Sequence, residues 1–257
     1  MSSIGTGYDL DADTFSPDGR IFQVEYATKA VDNTGTAIGL CCTDGVVIGI
    51  EKLLVSKMLV PGSNRRSFAV DTHTGIGVAG LSADGRQVAN RARAECSEYK
   101  KTFGAPMEGK VLADRLSMFL HMYTLYWSLR PFGCSTLLAS YTDDGPQLYM
   151  IDPSGSSWGY WGCAIGKGRQ VAKTELEKLS LGKITCAEAV KAIANIIYQV
   201  HDETKDKIWE LEMGWVCDAN GRKYTPVPAE LVKEAEEEAK KAAAAPPPKG
   251  DDKMDES

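Results

Sequence analysis

The sequence predicts an α+β fold in which antiparallel sheets are covered by helices. Short apolar runs joined by Asp-Gly and Asn-Gly dipeptides come in blocks, and helical periodicities come in pairs between them. No stretch alternates strand with helix in the manner of a parallel, doubly wound sheet. Two sheets between two helical layers fit this order.

The first helix is expected directly after Ser16-Pro17-Asp18-Gly19. Pro17 fixes φ there, Asp18 can bond its own backbone, and Gly19 tolerates positive φ. Residues 20–31 hold no Gly or Pro, and Ile21, Phe22, Val24, Tyr26, Ala27, Ala30 and Val31 cover more than one narrow stripe. So oily a short helix needs a cover, and a neighbouring subunit is a candidate for it.

Strands are expected at residues 36–42 and 46–52, joined at Thr43-Asp44-Gly45, then at 67–70 and 75–79 beyond the Pro61-Gly62-Ser63-Asn64 loop. Two helices follow. Val88, Ala92, Cys96, Tyr99 and Phe103 mark the first, and Leu112, Leu116, Phe119, Leu120, Tyr123 and Trp127 mark a second that runs until Pro131-Phe132-Gly133. Strands return at 135–141, 147–151, 156–160 and 163–165. The next helical pair covers 170–179 and a segment opened by Thr185 with Glu188 three residues on, a capping box. Residues 207–216 and 222–225 flank Asn220-Gly221 as a last hairpin.

From Pro228 a Glu, Lys and Ala-rich helix is expected to about residue 245, stopped by Pro246-Pro247-Pro248. A solvated helix with an acidic end is its expected state, and a docking tail for a partner is the alternative. The organisation is then a mobile amino-terminal segment at 1–13, a single domain at 14–228 and a charged helix and tail at 229–257.

Composition narrows the function. With 257 residues and 43% hydrophobic content, the chain can bury one substantial core. A net charge of −6 argues against a general nucleic-acid binder. The seven cysteines have no metal-ligand spacing and read as reduced core thiols. His73, His121 and His201 lie on different elements and read as packing or surface residues, so neither a metal nor a cofactor is expected. Without a basic and apolar leader or a long uncharged apolar run, an intracellular, soluble protein is expected.

One set of motifs is specific. Tyr8-Asp9, then Thr14-Phe15-Ser16-Pro17-Asp18-Gly19-Arg20, then Gln23-Val24-Glu25-Tyr26-Ala27 resembles the amino-terminal signature of the α-type subunits of the proteasome core particle. Gly80-Leu81, Arg130-Pro131-Phe132-Gly133, Asp152-Pro153-Ser154-Gly155 and Ala164-Ile165-Gly166 extend the resemblance over roughly residues 1–230. It implies a four-layer α-β-β-α sandwich of the N-terminal nucleophile hydrolase kind. It also implies a non-catalytic structural and gating subunit in a seven-membered α-ring. The implied partners are other α-subunits, the β-subunits of the core, a regulatory particle or activator and unfolded polypeptide substrates, in cytoplasm and nucleus.

The sharpest rival is an autoprocessed β-type threonine peptidase, whose freed amino-terminal threonine is the nucleophile. Gly35-Thr36 superficially resembles such a junction. Aligning Gly45 with the glycine of the catalytic hairpin puts Gly35, which has no hydroxyl, at the nucleophile's place. Glu51 then falls where an aspartate is expected, and Arg66 or its neighbour where a lysine is. Arginine cannot give up its proton. An inactive relative is the reading, with a free-standing binding module as third choice. Gly162-Cys163-Ala164-Ile165-Gly166-Lys167-Gly168 misses the spacing and the Ser or Thr of a phosphate loop and reads as a strand-to-helix turn.

The resemblance also assigns sites. In the family, Tyr8, Asp9, Pro17 and Tyr26 form the cluster that holds the amino-terminal segment open over the axial pore. Glu25, Arg66, Gly80 and Leu81 fall at the pocket that takes activator tails, where the family's lysine pairs with the terminal carboxylate. Arg66 departs from that lysine, so this pocket is expected to bind tails differently.

Overall fold

The computed structural model describes residues 7–60, 62–202 and 208–243. Residues 1–6 of the expected mobile segment, the first residue of the 207–216 strand and the end of the tail lie outside the described residues.

Two five-stranded antiparallel sheets carry the chain. One has the order β10-β9-β2-β1-β8, from Thr225–Pro226, Trp209–Cys217, Gly45–Leu53, Ala37–Cys42 and Gly162–Ile165. The other has the order β3-β4-β5-β6-β7, from Ser67–Asp71, Thr74–Gly80, Cys134–Thr142, Gly145–Ile151 and Ser157–Gly159. Helices α2 (Ser82–Phe103) and α3 (Gly109–Met122) cover the second sheet. Helices α4 (Arg169–Glu177), α5 (Cys186–Val200) and α6 (Ala229–Ala243) lie on the side of the first. The layers are therefore α-β-β-α, as expected.

Period-two alternation explains why the central strands look continuously apolar. Along β1, Ile38, Leu40 and Cys42 face α4 and α5, while Ala37 and Cys41 face the other sheet. Both sides are dry, so every position must be apolar or small. Gly49 of β2 shows how tightly the layers meet. A Cβ there would come within 2.3 Å of Ile193 on α5, so only glycine lets that helix lie so close.

The first helix, α1 (Phe22–Asp32), is not left wholly to a neighbour. It packs on β4 and β5 and buries Phe22, Ala27 and Val31, while Leu10 and Phe15 before it remain exposed. The capping box at Thr185 and Glu188 is present. Three expectations change. Helix α3 stops at Met122, because Thr124 turns its backbone N–H and its hydroxyl back onto His121 O, and Trp127 is 73% exposed. The last hairpin pairs only at Thr225 and Pro226, since Gly221 and Arg222 both take positive φ. The charged helix α6 is docked, with Ala235 and Ala239 against α5 and Lys191 2.8 Å from Glu238. The small alanines recur four apart and make a narrow stripe that the surrounding charge obscures.

Asp84 ties the start of α2 to the loop before β5. Its carboxylate accepts from Arg130 Nη1 and Nη2 at 2.7 and 2.9 Å and from the Gly133 backbone N–H at 2.9 Å. Burial pushes this carboxyl up, but the Arg130 and Gly133 hydrogen bonds outweigh it and hold it below the ordinary 3.8. Its stabilisation is thus present above 3.8 and is lost as pH falls through the lower folded-state value. Because Arg130 is largely exposed, Asp84→Asn is expected to cost about 1–2 kcal/mol at neutral pH. Urea unfolding of the purified chain across pH should show the gap closing as pH drops past 3.8; a constant gap would contradict this role.

Candidate functional site

The amino-terminal segment is pinned to α1 by two bonds. Tyr26 Oη donates to Asp9 Oδ2 at 3.1 Å, and the Gln23 side-chain amide donates to Asp9 O. Burial first, then the Asp9 carboxylate, push the Tyr26 phenol up, so it remains a donor at neutral pH. The turn ahead of α1 closes through Gly19 N–H to Ser16 O at 2.9 Å, while Arg20 N–H bonds Ser16 Oγ at 3.1 Å. Pro17 sits exposed at the head of this turn, and Tyr8 is 42% exposed. Of the four positions expected to form a gating cluster, a direct hydrogen bond joins Asp9 to Tyr26, and Tyr8 and Pro17 face solvent.

The second region surrounds Gly35. A cavity of about 160 Å³ is lined by Gly35, Glu51, Arg66 and their neighbours, so the three aligned positions do converge. What they make is not a nucleophilic centre. A Cβ on Gly35 would lie 2.1 Å from the Glu51 carbonyl oxygen. Glu51 Oε2 accepts from the Thr36 backbone N–H at 2.8 Å, and Glu51 Oε1 lies 2.6 Å from His201 Nδ1. The Thr36 hydroxyl is buried and accepts from Gly168 N–H at 3.1 Å. That amide belongs to the turn between β8 and α4, which confirms the strand-to-helix reading of residues 162–168. Thr36 is therefore neither a free amine nor an exposed hydroxyl.

Of the two readings for His201, packing or surface, the structure gives the first: its side chain is a buried partner of Glu51, 4.5 Å from the Trp209 ring. Glu51 and His201 are 150 residues apart, so their spacing carried no signal. A Glu directly after the apolar run of residues 46–50 could have raised the question, because a buried carboxylate needs a partner.

Arg66 Nη1 donates to Gly80 O at 2.6 Å, and the Arg66 backbone N–H donates to Glu212 Oε2 at 2.9 Å. Burial lowers the guanidinium's pKa, partly offset by Glu212. Gly80 is held at φ 132° with no room for a Cβ against Gly133 O. Leu81 follows, 45% exposed, and Glu25 is engaged by Arg20 through Nε at 2.6 Å. Of the four pocket positions, the structure thus brings Arg66 and Gly80 into contact. Among the described residues no group of three or more His, Cys, Asp or Glu is placed to hold a metal, and no helix is long and apolar enough to cross a membrane.

Residues 31–216 match the proteasome subunit family. The chain belongs to that family. Residues 8–30 match the N-terminal signature of A-type proteasome subunits, which places the chain among the α-type members, a class whose ring members are non-catalytic. It is 59% identical over 235 residues to the proteasome alpha type-3 subunit of Oryza sativa subsp. japonica, covering 91% of this chain and 94% of that one. It is equally 59% identical over 234 residues to the alpha type-3 subunit of Acanthamoeba castellanii, with 91% and 93% covered. A probable proteasome alpha type-7 subunit of Saccharomyces cerevisiae is 49% identical over 241 residues, with 91% and 83% covered. Type-3 names thus recur among the relatives. The β-type peptidase reading is not favoured.

The filled site gives a prediction. Gly35→Ser is expected to destabilise the chain by about 2–4 kcal/mol through its collision with the Glu51 carbonyl. It should confer no labelling by a threonine- or serine-directed covalent inhibitor, as intact mass would show. A labelled, stable variant would contradict the geometry.

Proposed function

We propose that this α-type subunit is a structural and gating member of a seven-membered α-ring. In this reading residues 1–13 reach over the axial pore, and their displacement admits unfolded polypeptides to the β-subunits below. Regulatory particles or activators dock on the same ring, in ubiquitin-dependent and ubiquitin-independent degradation. Cytoplasm and nucleus are the proposed setting.

The observation that supports the reading best is the anchoring of Asp9 by Tyr26 and Gln23. A phenol hydroxyl and a side-chain amide define one backbone path at the point where the segment leaves the body, as a gate hinge requires. In the reconstituted core particle, Tyr26→Phe is expected to lower activator-stimulated hydrolysis of a fluorogenic peptide several-fold while leaving assembly intact. Unchanged stimulation would remove the gating role from this pair and leave it an anchor only.

The Arg66 contact supports a second element of the proposal. A guanidinium already donating to Gly80 O has less to offer a terminal carboxylate than a free lysine ammonium. A photoactivatable activator-tail peptide is expected to label this pocket more weakly than its neighbours, and Arg66→Lys should raise the labelling. Equal labelling of the unaltered pocket would overturn that.

A further inference from the structure

A groove between α4 and α5 takes no part in the gating reading or in the Arg66 pocket. It has a volume of about 660 Å³, and its apolar lining includes Leu179, Ile184 and Ala192, which are partly buried and packed on the core, and Ile196, which is 5% exposed. Three exposed lysines, Lys178, Lys183 and Lys191, line it too. Glu175 and Glu188 are the acids of the groove, and each is already engaged close by. Glu188 Oε2 accepts from the Thr185 backbone N–H at 2.9 Å and from its hydroxyl at 2.8 Å, while Glu175 lies 2.6 Å from Lys178. Lys183 has no ion-pair partner among the described residues. Apolar surface beside incompletely neutralised cations is complementary to a segment in which one apolar side chain stands among carboxylates.

This chain carries such a segment. Lys249-Gly250-Asp251-Asp252-Lys253-Met254-Asp255-Glu256 holds four acids against two lysines, and Met254 is its one large apolar residue. The segment follows α6, and α6 is fastened to the wall of the groove, because Lys191 lies 2.8 Å from Glu238. From Glu238 to Ala243, where α6 ends, the helix rises ~8 Å. Residues 244–250 can span up to ~24 Å when extended, which covers the return.

We propose that residues 249–256 dock in the α4–α5 groove of their own chain, with Met254 against Leu179 and Ile196 and the flanking carboxylates at Lys178 and Lys183. A methionine side chain is unbranched and adapts to an irregular apolar surface. Exposed ion pairs are weak one at a time. Tethering compensates for that weakness, since a short linker holds the segment at an effective concentration in the millimolar range, where a contact of modest strength fills the groove. The docked segment covers residues 179–184, the connection between α4 and α5.

The test uses the assembled core particle with this chain at full length. A carbodiimide joins carboxylates to lysine amines that touch, and the digest is mapped by mass spectrometry. The Lys191–Glu238 pair serves as the internal standard. The expected result is a link from Lys178 or Lys183 to an acid of residues 251–256, weakening severalfold as salt is raised from ~0.05 to ~0.5 M. Met254→Asp adds a carboxylate, so attraction by charge alone would strengthen the link. Loss of the apolar anchor should instead weaken it severalfold and leave the standard unchanged. Truncation after residue 245 should speed amide hydrogen exchange at residues 179–184. A tail without links to these lysines, a groove lysine linked instead to another subunit, a Met254→Asp link as strong as the original, or exchange unaltered by the truncation would each overturn the proposal.

Discussion

Everything in this subunit depends on two sheets lying face to face with their inner surfaces dry. Sheets packed this way must supply interdigitating apolar side chains from both inner faces, and their outer faces must be covered in turn. Ile48 and Ile50 from one sheet and Leu137 and Leu148 from the other meet this demand, with α2 and α3 outside one sheet and α4 to α6 on the side of the other. The amino-terminal segment and the Gly35 cavity lie at the margin of that core. Their geometry is inherited from the sandwich, not built by loops of their own.

The same fold can host a nucleophile at that margin, and here the space is put to structural use. Glu51 spends one carboxylate oxygen on the Thr36 amide and the other on His201, while the β8–α4 turn closes over the Thr36 hydroxyl. Polar groups that a hydrolase would leave available are all satisfied internally. This is what a buried polar cluster does when it has no reaction to perform: it fixes register between β1, β2 and α5. Arg66, on the other wall, is likewise drawn into the backbone at Gly80.

Much of this was legible in the order of residues. Turns at Thr43-Asp44-Gly45 and Asp144-Gly145, the Thr185 capping box and the signature around Ser16-Pro17-Asp18-Gly19 all act over a few residues, so local chemistry reveals them. Contacts across the chain did not show. His201 meets Glu51 across 150 residues of sequence, and Lys191 of α5 meets Glu238 of α6 across 47. The end of α3 escaped because Thr124 stops it with a hydroxyl that competes for the backbone, while the apolar periodicity runs on to Trp127. At the candidate sites, residue types at Asp9, Tyr26 and Arg66 could be read, but not that Gln23 joins Asp9 or that Gly80 claims Arg66.

The carbonyl that faces Gly35 also limits what substitution can do there. Because strand β2 fills the volume that a side chain at this position would need, a hydroxyl can be placed there only if the backbone retreats as well. Either change alone leaves the position without a usable nucleophile. The double demand works as a latch that keeps this centre shut.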